Sequence, residues 1–224
     1  MTERAKNAIR STELKGSIQQ YLPPKEVRKY FHEIDTEGKE ILANTDWWQD
    51  LRMKAETGAG GWVWNWPSHA KKLDANDHVH RESSPLHYVM GELAPFYIER
   101  MWNNDRTRGI WAVWLGPFCS NGSTTMGVGQ GGAISAIFDL FTAQLGSIFA
   151  QARAPTTQIN VSLKRPTTPI PGAFKVECWV EKEENNRIYL KGELTDGKGG
   201  KPTATCEVTL ARVKRKKKVA PSKL

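Results

Sequence analysis

Cysteine is scarce in this chain. Cys119, Cys178 and Cys206 are its three cysteines, widely separated, odd in number and in no metal-like spacing. That pattern excludes a disulfide scaffold and a thiolate zinc site, and it reads as reduced, structural thiols in a reducing compartment. Histidine is missing altogether from Gly91 onward, which removes the Asp and His pair that a hydratase needs. The first 20 residues lack the apolar core of a secretory signal. Arg4, Lys6, Arg10 and Lys15 give that end a presequence-like charge, but Glu3 and Glu13 argue against one. Long apolar runs are also rare. The segment from Gly131 to Ala150 is long enough for a membrane span at ~20 residues, but Asp139 near its middle costs about 2.5–3.5 kcal/mol on insertion scales. Gln144 adds to that, so the segment reads as a buried helix of a soluble protein.

What is present fits one full-sized domain with a long extension in 224 residues, with 39% hydrophobic residues to build a core. The net charge is +8, and the run "KRKKK" at 214–218 supplies five of those charges. Without it the body is mildly basic, which suits an anionic small ligand at least as well as nucleic acid. The run has no interleaved aromatics and lies near the C-terminus, so it reads as a solvated tail. The chain then ends in Ser222, Lys223 and Leu224, the tripeptide that a peroxisomal import receptor reads. The expected organisation is an extension over 1–90, a main domain over 91–213 and a tail over 214–224.

The extension has its own composition. Val27, Tyr30, Phe31 and Ile34 recur at helical spacing after Pro23 and Pro24. Trp47 and Trp48 follow, then the glycine-rich break "TGAGG". Trp62, Trp64 and Trp66 then alternate, as in a short extended stretch that buries one aromatic face. His78 and His80 in "DHVHRE" are a thin metal candidate, because no cysteine or further ligand accompanies them.

The body is patterned more sharply. "FYIER" and "GIWAVWLGP" read as two strands joined through "WNNDRTR", and a polar loop, "SNGSTTMGVG", follows. Ile134, Ile137, Phe138, Phe141, Leu145, Ile148 and Phe149 then recur at steps of three and four, giving a helix some five turns long with a wide apolar face. After Pro155 the period changes to two, with Ile159, Val161 and Leu163 in the first segment and Phe174, Val176, Cys178 and Val180 in the second. Ile188, Leu190 and Leu194 mark the third, and Ala204, Cys206, Val208 and Leu210 the fourth. "EENNR" is a hairpin turn whose asparagines can take left-handed geometry. Four alternating strands imply an antiparallel meander with one buried face, and the long helix is the element available to cover it. The expectation is an α+β domain, a sheet curled around one helix.

This order, together with "GQGGAISAIFD" and "TTQINVSLKRP", resembles the hotdog-fold acyl-CoA thioesterases. The likeness is to the PaaI-like branch and to that of thioesterase superfamily members 4 and 5, and it covers about Phe96 to Val213. The first motif is similar to that branch's His-Gly-Gly-Ala-Ile…Asp signature, with Gln130 in the place of its histidine. The resemblance implies hydrolysis of an acyl-CoA thioester in a homodimer or dimer of dimers, with active sites between subunits. It implies that Asp139 is base or nucleophile and that Thr156 helps position the water, with Thr157 serving if the register slips by one.

The residues themselves support part of this. A helix start offers free N–H groups and partial positive charge, so Gly131 and Gly132 suit an oxyanion site. Asp139 stands eight residues later, about 12 Å along the axis at 1.5 Å per residue. The acid and the glycines of one chain therefore do not reach one carbonyl, and two antiparallel helices from two copies would. Gln130 can hydrogen-bond but does not titrate near neutrality. Candidates for contact with substrate and its phosphates are Asn121, Lys164, Arg165 and the pair Arg106 and Arg108. The pattern calls for no cofactor and no metal. The competing readings are a catalytically weak acyl-CoA-binding protein, suggested by Gln130, and a nucleic-acid-binding or scaffold protein, which would show steep salt dependence.

Overall fold

A computed structural model describes residues 36–58, 61–64, 96–121 and 127–213. A helical stretch over 36–43 leads into α1 (Asp46–Glu56). Then come β1 (Trp62–Trp64), β2 (Phe96–Asn103), β3 (Arg108–Leu115) and α2 (Gly131–Ala150). β4 (Thr156–Leu163), β5 (Gly172–Glu184), β6 (Arg187–Thr195) and β7 (Ala204–Ala211) complete the chain. The seven strands form one antiparallel sheet in the order β1-β2-β3-β5-β6-β7-β4. The sheet curls around α2, and the domain is a hotdog fold.

The periodicity in the sequence is the reason for the wrap. Ile134, Ile137, Phe138, Phe141, Leu145 and Ile148 are buried against Trp111, Val113, Phe174, Val176, Cys178, Ile188, Leu190, Leu194, Cys206, Val208 and Leu210. These are the inward positions of the expected strands. Asn185 and Asn186 both have positive φ in the β5–β6 turn, as a tight hairpin demands. By length and composition α2 would pass as a membrane span, but half of its most apolar window is buried inside the protein.

One expectation is corrected. The last four strands are not a single meander. β5, β6 and β7 run as one, but β4 pairs with β7 at the far edge, and β5 pairs with β3. Alternation specifies which residues face inward and says nothing about which strand is the neighbour. β4 is accordingly the least buried strand, with Leu163 55% exposed.

β3 is buried along nearly its whole length, on both faces. Trp111, Val113 and Leu115 face α2, whereas Ile110, Ala112 and Trp114 face a second core. Part of the extension covers that outer face. Leu42, Trp48 and Ala55 pack on Met101, Ile110, Ala112 and Trp114, and Trp48 Nε1 donates to Glu99 Oε2 at 2.5 Å. Gly38 lies so close to the sheet that a Cβ there would meet Tyr97 Cβ and come within 3.0 Å of Trp114 Cε3. The expected extended aromatic stretch is present as β1, which adds a strand beside β2. The helix expected around Val27 to Ile34, Trp66, the His78 and His80 pair, the basic run and the terminal tripeptide lie outside the described residues.

All three thiols are buried and in no disulfide. Burial pushes Cys119 up to about 12, with a backbone hydrogen bond at Gly116 opposing it. Burial, reinforced by Glu207, does the same to Cys206, and burial raises Cys178 further. A thiol held protonated is a poor nucleophile, so the cysteines belong to the core.

Candidate active site

The site forms where the chain enters α2. The residues before the helix fold back on themselves. Ser120 bridges Gly129, Gly127 bridges Ile170, and the Gln130 N–H donates to Cys119 O at 2.7 Å. This fixes Gln130 as the N-cap, with extended backbone and its side-chain Oε1 accepting from Ala133 N at 2.7 Å. The first N–H groups of a helix have no partner in the preceding turn. Gln130 satisfies that of Ala133. Those of Gly131 and Gly132 have no acceptor among the described residues.

Both glycines lie close to the ends of neighbouring side chains. A Cβ on Gly132 would stand 2.9 Å from Gln130 Oε1, and one on Gly131 would stand 3.1 Å from Leu163 Cδ1. The helix therefore begins with two bare amides under a capping carboxamide. Leu163 and Val128, both exposed, stand in this part of the fold.

Asp139 lies two turns further along. Phe138, Leu140 and Phe141 around it are apolar, yet Asp139 itself is half-buried. Successive helical residues point about 100° apart, so Phe138 and Phe141 face the sheet while Asp139 turns toward the edge strand. There Thr156 Oγ1 donates to Asp139 Oδ1 at 2.6 Å. Thr142 Oγ1 donates to the carbonyls of Phe138 at 2.7 Å and Asp139 at 3.3 Å. A β-bulge at the start of β4 makes the Thr156 contact possible. Pairing with β7 shifts between Thr156 and Gln158, so Thr157 is the extra residue. Its hydroxyl donates to Thr209 O at 3.0 Å and is spent there. The bulge has no signal in the sequence.

The other candidates divide. Lys164 and Arg165 follow β4 directly, and both amides donate to Thr203 O. The Lys164 side chain is exposed with no partner among the described residues. The Arg165 guanidinium binds the carbonyls of Lys201 and Pro202 through Nη2 and staples a loop. Asn121 is exposed, and its N–H donates to Val128 O at 2.7 Å in the loop that leads to the helix. Arg106 and Arg108 do not join the site. They stand at the start of β3, whereas the helix entry follows its other end, and eight residues of strand span about 25 Å. Arg108 is paired with Glu177 at 2.7 Å and lies over Trp179 at 6.0 Å.

No family model matches this chain, and no curated protein matches it. Solved structures do. The Escherichia coli PaaI protein from the phenylacetic acid degradation operon is 14% identical, over 64% of this chain and 95% of that one, with a TM-score of 0.47. Zebra fish thioesterase superfamily member 2 is 14% identical, over 63% and 98%, with a TM-score of 0.47. A phenylacetic acid degradation-related protein from Ralstonia eutropha is 24% identical, over 58% and 94%, with a TM-score of 0.45. At such identities and TM-scores, none of these structures says what this chain does.

Proposed function

We propose that this protein hydrolyses acyl-CoA thioesters. The observation that carries the reading is the bond of 2.6 Å from Thr156 to Asp139. It holds the one acid of α2 beside β4, the last strand in the order of the sheet. A carboxylate oriented by a hydroxyl can take a proton from an attacking water or attack a carbonyl itself. The unpartnered amides of Gly131 and Gly132 supply donors for the oxygen on which negative charge develops. No titrating group is needed at Gln130 for either role.

Asp139 and Gly131 of one chain are about 12 Å apart along the helix axis, so the working site takes one group from each of two copies. β4 supports that assembly, because among the described residues it is a terminal strand with one side unpaired. Exposed Leu163 lies on it, and exposed Val128 precedes the helix. Lys164 is the phosphate contact we favour, and Asn121, exposed in the loop before the helix, is kept as a substrate contact. Import through Ser222, Lys223 and Leu224 belongs to the same proposal. Localising a fluorescent fusion with and without those residues tests it.

A second reading has its own support. Gln130 uses its side-chain oxygen as a helix cap, so that oxygen is not available to orient a ligand. A protein that binds acyl-CoA and turns it over slowly fits this arrangement. The deciding experiment is release of free CoA thiol from short, medium, long and aryl acyl-CoAs. Wild type is compared with Asp139→Ala and Gln130→His. Turnover that disappears in Asp139→Ala supports hydrolysis. Turnover that appears only in Gln130→His supports the binding protein. Silence in all three removes hydrolysis.

A further inference from the structure

We propose that Trp47 of the extension is a positioning residue for CoA: it holds the loop between β6 and β7, whose Lys198 and Lys201 join Lys164 in receiving the phosphates of the nucleotide. The proposal rests on the acyl-CoA reading above and gives the extension a part in substrate binding.

The loop runs from Asp196 to Pro202 and contains three glycines. Gly197 has a φ of 76° and Gly199 one of 84°. A Cβ on Gly197 would collide with the indole of Trp47, 2.5 Å from its Nε1. Glycine is needed there twice over, for its left-handed backbone and for the ring that lies against it. Asp196 Oδ1 accepts from the N–H of Lys198 at 3.0 Å and from that of Gly200 at 3.3 Å, which folds the loop on itself. The indole has its own anchor. Trp47 meets Trp48 edge to face at 5.9 Å, and Trp48 is fully buried and bonded to Glu99. Trp47 is thus tied to the second core and to the backbone of Gly197 at once.

The far end of the loop is tied to the candidate site. Arg165 Nη2 binds the carbonyls of Lys201 and Pro202. Thr203 O accepts from the amides of Lys164 at 2.8 Å and Arg165 at 3.1 Å. Thr167 Oγ1 donates to Thr203 Oγ1 at 3.0 Å, and Thr167 O accepts from Gly129 N at 2.8 Å, one residue before the Gln130 cap. These bonds run from the loop to the start of α2, where the bare amides lie. Leu163, the residue before Lys164, is the one whose Cδ1 stands against Gly131. Lys164, Lys198 and Lys201 are all exposed, and none has an ion-pair partner among the described residues. Three such cations beside the helix entry complement the phosphates of CoA, which lie beyond the pantetheine arm from the thioester. A loop with three glycines has much conformational freedom to lose on meeting a ligand, and Trp47 removes part of it in advance.

The test uses the full chain and CoA itself, which has no thioester to lose. Calorimetric titration gives the Kd of CoA for wild type, Trp47→Ala and the double variant Lys198→Gln with Lys201→Gln. Both variants are expected to bind roughly three- to tenfold more weakly, the size of one or two exposed ion pairs, and added salt should weaken the lysine variant less than wild type. Thiol release from one acyl group carried on CoA or on pantetheine, which has no nucleotide, separates positioning from general damage. Trp47→Ala should raise KM for the CoA ester and not for the pantetheine ester, with kcat unmoved. Trp47→Phe, which keeps a ring against Gly197, should recover most of the affinity. An unchanged Kd, or an equal loss on both esters, overturns the proposal, as does a lysine variant that binds CoA like wild type. If Trp47→Ala does not fold, Gly197→Ala disturbs the same contact from the loop side and is read on the same two esters. Wild type that binds CoA and releases no thiol refutes hydrolysis and leaves this proposal to the Kd values. Wild type without affinity for CoA overturns both.

Discussion

Thr156→Val is the most informative single change. The substitution keeps the shape of the side chain and removes the one hydroxyl that holds Asp139. A hydrogen bond to a charged group contributes about 1.5–3 kcal/mol net, and each 1.36 kcal/mol is tenfold in rate. The expected loss is therefore roughly 10- to 150-fold in kcat. KM should hardly move, because Thr156 acts through Asp139 and not on the bound substrate. Thr156→Ser retains the donor and should recover most of the rate. Thr157→Val probes the alternative register, and since its hydroxyl already donates to Thr209, its effect should be well below that of Thr156→Val. The assay is thiol release at saturating and limiting acyl-CoA, with thermal unfolding of each variant alongside. A Thr156→Val enzyme that keeps more than half its kcat refutes the reasoning, and so does a larger loss in Thr157→Val.

Gly192→Ala should lower stability by about 1–3 kcal/mol through overpacking, because its Cβ would stand 2.9 Å from both Cys178 Sγ and Cys206 Sγ; urea unfolding measures this, and adding Cys178→Ala should return part of the loss. Trp48→Phe removes the donor to Glu99 and should cost about 1.5–3 kcal/mol, read by the same unfolding curves. Folded Cys119 and Cys206 stay protonated to about 12, against 9.0 for a free thiol. The unfolded chain therefore binds fewer protons above pH 9, and stability falls as pH rises from there toward 12. Cys119→Ala should make that alkaline fall shallower, a comparison that denaturation midpoints at stepped pH will resolve. The same burial predicts that no thiol reacts with a disulfide reagent at pH 8 until the protein is unfolded.

Spacing alone determined a good deal. Steps of three and four from Ile134 to Phe149 give a helix nearly enclosed by apolar surface, and steps of two after Pro155 give strands whose inward residues can be named one by one. Those rules are local, because side-chain direction follows from backbone geometry within a few residues. "GQGGAISAIFD" likewise placed bare amides and an acid on one helix, and eight residues of rise set their separation. Which strands neighbour each other was not legible, since alternation is blind to pairing, and β4 crosses to the far edge beside β7. The outer face of β3 needed a cover, and only the fold shows Leu42 and Trp48 supplying it. Only the tertiary structure could turn Thr156 toward Asp139, because the bulge that does so arises between β4 and a partner strand some fifty residues away. Arg100 and Gln144 also meet only there. They come from two elements far apart in the chain, and nothing in the sequence near any one of them announces the other.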